Sequence, residues 1–213
     1  MTPAIKICGI STVEALDAAI DARADYVGFV FFPPSPRHID GHAASALAMQ
    51  AGERIGRVGL FVDADDGLIA KSVKAGRLDA LQLHGGETPQ RVSQVKARFG
   101  LPVWKAISVA TTKDVEKANA YDDVADLLLF DAKTPEDAAL PGGMGLRFDW
   151  SLLDGWRGRP GWGLAGGLTP QTVAGAIQQS KPPLVDTSSG VESAPGVKDP
   201  ALIRAFCEAV RNA

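Results

Sequence analysis

The sequence predicts an α/β fold, a single (β/α)8 TIM barrel over residues 1–213 in which one helix is short or vestigial. Three observations carry that expectation. Short apolar runs recur eight times at roughly 20 to 30 residues, the length of one strand, one helix and two loops. Helix-start chemistry stands between the runs. Most runs are apolar almost throughout, as strands of a parallel sheet are when helices cover one face and the barrel interior the other. An open doubly wound sheet shares the rhythm, but an eightfold repeat favours closure.

The first run, Ala4 to Cys8, is followed by Ser11-Thr12-Val13-Glu14, which reads as a capping box with Val13, Leu16 and Ile20 on one helical face. Tyr26 to Phe31, Arg57 to Val62 and Ala80 to His84 supply the next three strands. Thr88-Pro89 then caps a helix and places proline at its first position, where the missing N–H costs nothing. Val103 to Ile107 and Leu127 to Asp131 come next, and the short segment Phe148 to Leu153 marks the vestigial helix. Gly161 to Ala165 and Leu184 to Asp186 complete the eight, each followed by a further cap-proline pair, Thr169-Pro170 and Asp199-Pro200.

With 22 basic and 25 acidic residues the net charge is -3. No block of like charges marks a nucleic-acid footprint, so no nucleic-acid partner is expected. Cys8 and Cys207 are the only cysteines and form no zinc or redox motif, which fits a reducing cytoplasm. The longest apolar run, around Tyr26 to Phe32, is far short of the ~20 residues a bilayer needs, and no basic flank with a long apolar segment opens the chain. A soluble, unprocessed protein without membrane partner is therefore expected.

Function in such a barrel belongs to the C-terminal ends of the strands. Alternation puts Lys6 and Cys8 on one side of the first strand and Ile5 and Ile7 on the other, so the thiol sits at the inner rim with a lysine one layer beneath it. Cys8 is either an inert small hydrophobe or an acid–base group. Cys207 shares an apolar helical stripe with Ile203, Phe206 and Val210 and reads as core. Asp131 ends the sixth strand and faces Cys8 across the mouth, an arrangement that lets one group remove a proton while another donates one. As a helix cap or turn residue it would carry no such role.

Two glycine-rich turns follow the last strands: Ala165-Gly166-Gly167-Leu168-Thr169-Pro170, and Asp186-Thr187-Ser188-Ser189-Gly190. Their backbone N–H groups, with helix N-termini behind them, suit a phosphate. After the second strand, Phe32-Pro33-Pro34-Ser35-Pro36-Arg37-His38 holds an arginine near the mouth on a proline-stiffened loop, fit for bidentate recognition of a carboxylate.

KICGI at 6 to 10, GFVFFPPSPRHI at 28 to 39, GLFVDAD at 59 to 65, LQLHGGE at 81 to 87, LLLFDA at 127 to 132, RFDW at 147 to 150, AGGLTPQTV at 165 to 173 and VDTSSGVESAPGVKD at 185 to 199 stand in one order with compatible spacing. Together they resemble the phosphoribosylanthranilate isomerases of tryptophan biosynthesis. The resemblance implies an Amadori rearrangement of an aminoaldose to a 1-deoxyribulose 5-phosphate ketose, without cofactor or metal, on a small phosphosugar substrate. It implies Asp131 as general acid on the ribose ring oxygen and Cys8 as general base on the C2 proton. Arg37 would then hold the anthranilate carboxylate, while Gly166, Gly167, Ser188, Ser189 and Gly190 would cradle the phosphate and His84 and Asp186 line the sugar site. One departure is Gly142-Gly143-Met144-Gly145, where the family commonly carries a hydroxyl residue in place of Met144.

An ordinary thiol is only a few per cent thiolate at neutral pH. Parity points Lys6, Lys105, Asp131 and Asp186 inward as four balancing charges, with Lys6 favouring the Cys8 thiolate. A histidine-pathway aminoaldose isomerase, with aspartate as its first-strand base, is the nearest alternative, and Cys8 argues for the anthranilate substrate. A phospholigand-binding barrel without chemistry is the alternative of another class. The assembly is expected to be a monomer or a homodimer.

Overall fold

The computed structural model describes residues 2–133, 145–154, 156–158 and 161–213. Eight parallel strands close into a barrel in sequence order: β1 (Ala4–Cys8), β2 (Tyr26–Val30), β3 (Gly56–Phe61), β4 (Ala80–Leu83), β5 (Val103–Val109), β6 (Leu127–Ala132), β7 (Gly161–Leu164) and β8 (Leu184–Thr187). The ring shuts where Lys6 of β1 registers against Asp186 of β8. Outside it lie α1 (Val13–Asp21), α2 (Gly41–Ala51), α3 (Asp66–Gly76), α4 (Pro89–Phe99), α5 (Thr112–Lys117), α6 (Val173–Ser180) and α7 (Pro200–Arg211). The reduced segment before β7 is a single tight turn, Trp150–Leu153, as the sequence led us to expect.

Two layers of apolar contact hold the fold. The larger lies between strands and helices, where Ile5, Ile7, Phe29, Phe61, Leu81 and Phe130 meet the apolar faces of the helices, Leu16 and Phe206 among them. The lower interior is filled by Val58, Ala80, Trp104, Leu129 and Leu184, with the Tyr26 ring edge-on to Trp104 at 5.1 Å. A separate apolar cluster of Cys8, Val30 and Leu60 lines the upper rim. Between the two interior clusters the barrel is polar: Lys6 and Gln82 are fully buried and Asp186 nearly so. A site can be built there because the lower plug already closes the barrel from below.

Three aspartates fasten the bottom. Each stands immediately before a strand and clasps the start of the preceding one in both directions. Asp25 accepts from Ile5 N at 2.8 Å and donates its own N–H to Ile5 O at 2.9 Å. Asp79 does the same to Arg57, and Asp126 to Val103, with carboxylate contacts of 2.8 Å in both cases.

The helix starts are partly as expected. Thr88 and Asp199 cap α4 and α7 with proline at the first position. Thr12, not Ser11, caps α1, accepting from Ala15 N at 3.2 Å. Val13, at the first position of α1, lies exposed rather than in the core with Leu16. Thr169-Pro170 opens a hydrogen-bonded turn, Thr172 N to Thr169 O at 3.1 Å, and α6 begins only at Val173. After β8 the chain inserts a hairpin, β9 (Glu192–Ala194) and β10 (Val197–Lys198), turned at Pro195-Gly196 with Gly196 at φ +82°.

Candidate active site

Cys8, Asp131, His84, Asp186 and Arg37 all line one cleft at the C-terminal mouth of the barrel. Gly166, Gly167, Ser188, Ser189 and Gly190 line it too. The residues read from strand ends and glycine turns are therefore brought together as a set. Met144 and its turn lie outside the described residues.

Cys8 points into the barrel, opposite Gly28 of β2. Any side chain there would crowd the sulfur, since a Cβ at Gly28 would stand 2.8 Å from Sγ. Beneath it Lys6 Nζ donates to Asp186 Oδ2 at 2.9 Å, an ion pair closed to solvent. Burial alone would drive the Lys6 ammonium toward neutrality, but Asp186 and Cys8 more than offset it and its pKa lies above the ordinary lysine value. Asp186 is pushed up in turn, burial outweighing the pull of Lys6. Burial pushes the Cys8 thiol up, more than Lys6 pulls it down, with Asp186 adding to the push and Lys198 to the pull. Lys6 acts in the expected direction, and Asp186 works against it.

The expected fourfold charge balance is not what forms. Lys105 points outward, toward the helices, because Trp104 takes the inward position in the lower plug and alternation sends the next residue the other way. Its ammonium donates to Glu87 Oε2 at 3.0 Å and Gly85 O at 2.7 Å beneath the β4–α4 loop. Glu87, a residue the sequence reading did not single out, also accepts from Asp63 N and Gly85 N, both at 2.9 Å. This buried clamp fixes the loop that carries His84. Asp131 faces His84 instead of a lysine, with Nε2 to Oδ2 at 3.3 Å, and its Oδ1 accepts from Ala132 N at 2.8 Å. Gln82 Nε2 lies 2.9 Å from His84 Nδ1.

Arg37 is no solvated surface arginine; it is only 6% exposed. Glu192, on the hairpin, accepts from its Nε at 2.7 Å and from a terminal nitrogen at 2.8 Å. The proline loop that carries it is tied down by Ser35 N to Phe32 O at 2.9 Å and His38 N to Ser35 O at 3.0 Å. Glu192 also takes Lys198 Nζ at 2.5 Å, and neither residue was anticipated. The Pro195-Gly196 turn signal was the only sequence feature pointing to their hairpin.

The two glycine turns interlock. Thr187 Oγ1 donates to Leu168 O at 2.7 Å, and Ser188 Oγ to Cys8 O at 3.1 Å. Gly166 and Gly167 both sit at positive φ, +84° and +62°, where other residues are strained. The helix termini expected behind them stand farther back: α6 starts after its turn, and Ser189–Val191 is a single tight turn with α7 only beyond the hairpin. Phosphate recognition here would fall to backbone N–H groups of the turns more than to a helix end.

Among the described residues no helix is long and apolar enough to cross a membrane. A family profile described as N-(5'phosphoribosyl)anthranilate (PRA) isomerase matches residues 5–209. The N-(5'-phosphoribosyl)anthranilate isomerase of Paracoccus denitrificans is 54% identical over 97% of this chain and 96% of its own, and that of Paramagnetospirillum magneticum 52% identical over 98% and 97%. The crystal structure of phosphoribosyl anthranilate isomerase from Thermotoga maritima superposes with a TM-score of 0.89 at 36% identity, covering 99% of this chain and 100% of that one. Another isomerase structure, in complex with reduced 1-(o-carboxyphenylamino)-1-deoxyribulose 5-phosphate, gives 0.86 at 33% identity with the same coverage. With motifs, topology and site in agreement with these comparisons, the chain belongs to the phosphoribosylanthranilate isomerase family.

Proposed function

We propose that this barrel converts N-(5-phosphoribosyl)anthranilate to 1-(2-carboxyphenylamino)-1-deoxyribulose 5-phosphate, with Asp131 as general acid and Cys8 as general base. The observation that supports it best is that the two groups, on strands three places apart in the ring, line the same cavity as a guanidinium and two glycine turns.

Asp131 gives its proton to the ribose ring oxygen as the bond from that oxygen to C1 breaks, leaving a protonated Schiff base. The Cys8 thiolate takes the C2 proton, and the electron pair of that C–H bond moves toward C1 to neutralise the iminium nitrogen. C1 of the resulting enolamine takes up a proton while the C2 hydroxyl gives one up, and the C1=C2 double bond becomes the C2 carbonyl of the ketone. The step is an isomerisation, so it needs no oxidant or cofactor. Arg37 holds the anthranilate carboxylate, with Glu192 fixing the plane of its guanidinium. Asp186, whose Oδ1 has no hydrogen-bond partner among the described residues, accepts from a sugar hydroxyl, and His84 steadies the acid. The turns at Gly166-Gly167 and Ser188-Ser189-Gly190 cradle the phosphate through backbone N–H groups.

The working unit is the one barrel domain over residues 1–213, as a monomer or a homodimer. A solved relative is described as generated monomers of dimeric Thermotoga maritima isomerase. A reducing cytoplasm suits the chemistry, since both cysteines are free thiols.

The test is turnover of substrate generated in situ, followed by the fall of anthranilate-type fluorescence. General acid–base groups contribute about 10²- to 10⁴-fold. Cys8→Ser and Asp131→Asn should each lose turnover on that scale, and near-wild-type rates in either would remove its role. A wild-type protein that binds phosphate ligands without turnover would be a binding barrel.

A further inference from the structure

Lys105 and Glu87 form an ion pair of 3.0 Å, each side chain only 3% exposed, to which the proposed mechanism gives no task. The pair lies outside the strand ring beneath the β4–α4 loop, and neither residue lines the cleft. Its hydrogen bonds converge on one short segment. Besides Glu87 Oε2, the Lys105 ammonium reaches Gly85 O at 2.7 Å and Leu83 O at 3.3 Å, so the two carbonyls that flank His84 in the chain are drawn onto one cation. Glu87 accepts from Gly85 N and Asp63 N, both at 2.9 Å, and the Asp63 carboxylate accepts from Gly86 N at 2.8 Å. Tyr121 donates its hydroxyl to Glu87 O at 2.9 Å, and His84 donates its N–H to Phe61 O at 2.8 Å. From Leu83 to Glu87, each residue has a backbone group held in this way.

Stability alone does not account for such a pair. Desolvating two charges offsets most of their attraction, and apolar residues of the same volume often hold a fold as well or better. What an ammonium offers and an apolar side chain does not is three directed donors, aimed here at one carboxylate and two carbonyls. The side chain that these bonds bracket is His84, whose Nε2 lies 3.3 Å from Asp131 Oδ2. That separation is at the long edge of a hydrogen bond, so a small shift of the loop would lose the contact.

We propose that Lys105, paired with Glu87, is a positioning residue for His84: it sets where the imidazole stands against Asp131 and so how well the acid is aligned for proton transfer. This rests on Asp131 serving as the acid. Lys105 touches neither the substrate nor the acid and acts only through the two peptide groups on either side of the histidine.

The experiment is a double-mutant cycle on kcat and KM with wild type, Lys105→Met, His84→Ala and Lys105→Met/His84→Ala. Lys105→Met should lower kcat about tenfold and leave KM within about twofold, because misplacing a catalytic group by a fraction of an ångström disturbs proton transfer while the glycine turns and Arg37 sit on other loops. In the His84→Ala background the same substitution should add little, the signature of two residues acting as one unit. A folded Lys105→Met enzyme with wild-type kcat overturns the proposal. So does a loss of equal size with and without His84, which is what a merely structural role produces, and so does full turnover in His84→Ala. Should Lys105→Met fail to fold because Glu87 is left charged and unpaired, Lys105→Met/Glu87→Gln removes both charges, still releases the two carbonyls, and is read by the same cycle. Wild-type turnover in Asp131→Asn would refute the acid assignment, whereas non-additive losses at Lys105 and His84 would still support the clamp.

Discussion

Replacing Lys6 with methionine isolates the ion pair on which the middle of the barrel rests. Lys6 is fully buried and bonded to Asp186 Oδ2 at 2.9 Å, and Asp186 Oδ1 has no partner among the described residues. Removing one member of such a pair costs about 3–5 kcal/mol because the other is left charged and unpaired. The carboxyl has an escape, which is to take up a proton. In the wild type, burial already pushes Asp186 upward and Lys6 pulls it back; without Lys6 that pull is gone. An unfolded aspartate titrates near about 3.9 and each pH unit is worth about 1.36 kcal/mol. Protonation therefore caps the loss at about 4 kcal/mol near pH 7 and at about 1.5 kcal/mol near pH 5. The sign follows from linkage: the variant's folded state binds more protons than its unfolded state, so its stability falls as pH rises. Lys6 adds no slope of its own in this window, since its raised pKa keeps its contribution whole until the alkaline range. Urea unfolding of wild type, Lys6→Met and Lys6→Met/Asp186→Asn at the two pH values reads this directly. The single variant should lose more than half its deficit on acidification, and the double variant should show a nearly pH-independent deficit. A Lys6→Met deficit equal at both pH values would refute the unpaired-carboxylate account and leave only lost packing.

A Cβ at Gly190 would lie 1.9 Å from Leu168 O and 2.8 Å from Thr187 Oγ1, so Gly190→Ala must prise the two glycine turns apart. Overpacking of this kind costs about 1–3 kcal/mol, and we expect inorganic phosphate binding and KM to weaken at least about tenfold for a seat held by about 1.4 kcal/mol per decade; unchanged phosphate affinity would speak against the seat. Asp25→Ala removes the clasp on Ile5 at the opposite end of the barrel, so about 1–2 kcal/mol of stability should be lost with kcat unchanged; a fall in kcat in the folded variant would contradict the separation of the two ends. Hydrogen bonds from Lys117 and Thr111 hold the Asp114 carboxyl well below the usual range despite partial burial. Its contribution is present above an ordinary carboxylate pKa and lost as pH falls toward its own, so Asp114→Asn should flatten part of the acid limb of the stability curve, and an unaltered limb would count against it.

The barrel was legible because parallel strands packed on both faces must be apolar along most of their length, and polar residues that interrupt such a run near its end stand out. Cys8 and Asp131 were found that way. Lys105 was misplaced for a related reason: alternation gives the period of a strand but not its phase, and Trp104 set the phase by filling the lower plug beside Tyr26. Glu192 and Lys198 were missed because nothing local marks them. Their partner Arg37 lies 155 residues from Glu192, and a lone charge in a loop looks the same whether or not the fold brings it a counter-ion. Glu87 escaped likewise, although it closes a motif that had been noticed for its histidine and glycines.

The charged groups at the mouth share one arrangement that explains why the two ends of the barrel are built so differently. Three of the side chains that surround the proposed acid and base are each held by a group behind them: Asp186 by Lys6, Arg37 by Glu192, and His84 by Gln82. Those partners are themselves buried, so the expense of desolvating and orienting charge is met during folding rather than at the moment of reaction, the condition under which fixed dipoles and ions lower a barrier most. The bottom needs no such support. There the aspartates bond to backbone, and their job ends with strand position. It follows that substitutions in the supporting row, Glu192 and Gln82 above all, should damage turnover more than their effect on stability would predict, whereas changes to the lower clasps should do the reverse. Measuring kcat and unfolding free energy together for Glu192→Gln and Asp126→Ala distinguishes the two kinds of role. Equal ratios of activity loss to stability loss in both variants would mean that the upper ion pairs serve only to hold the fold.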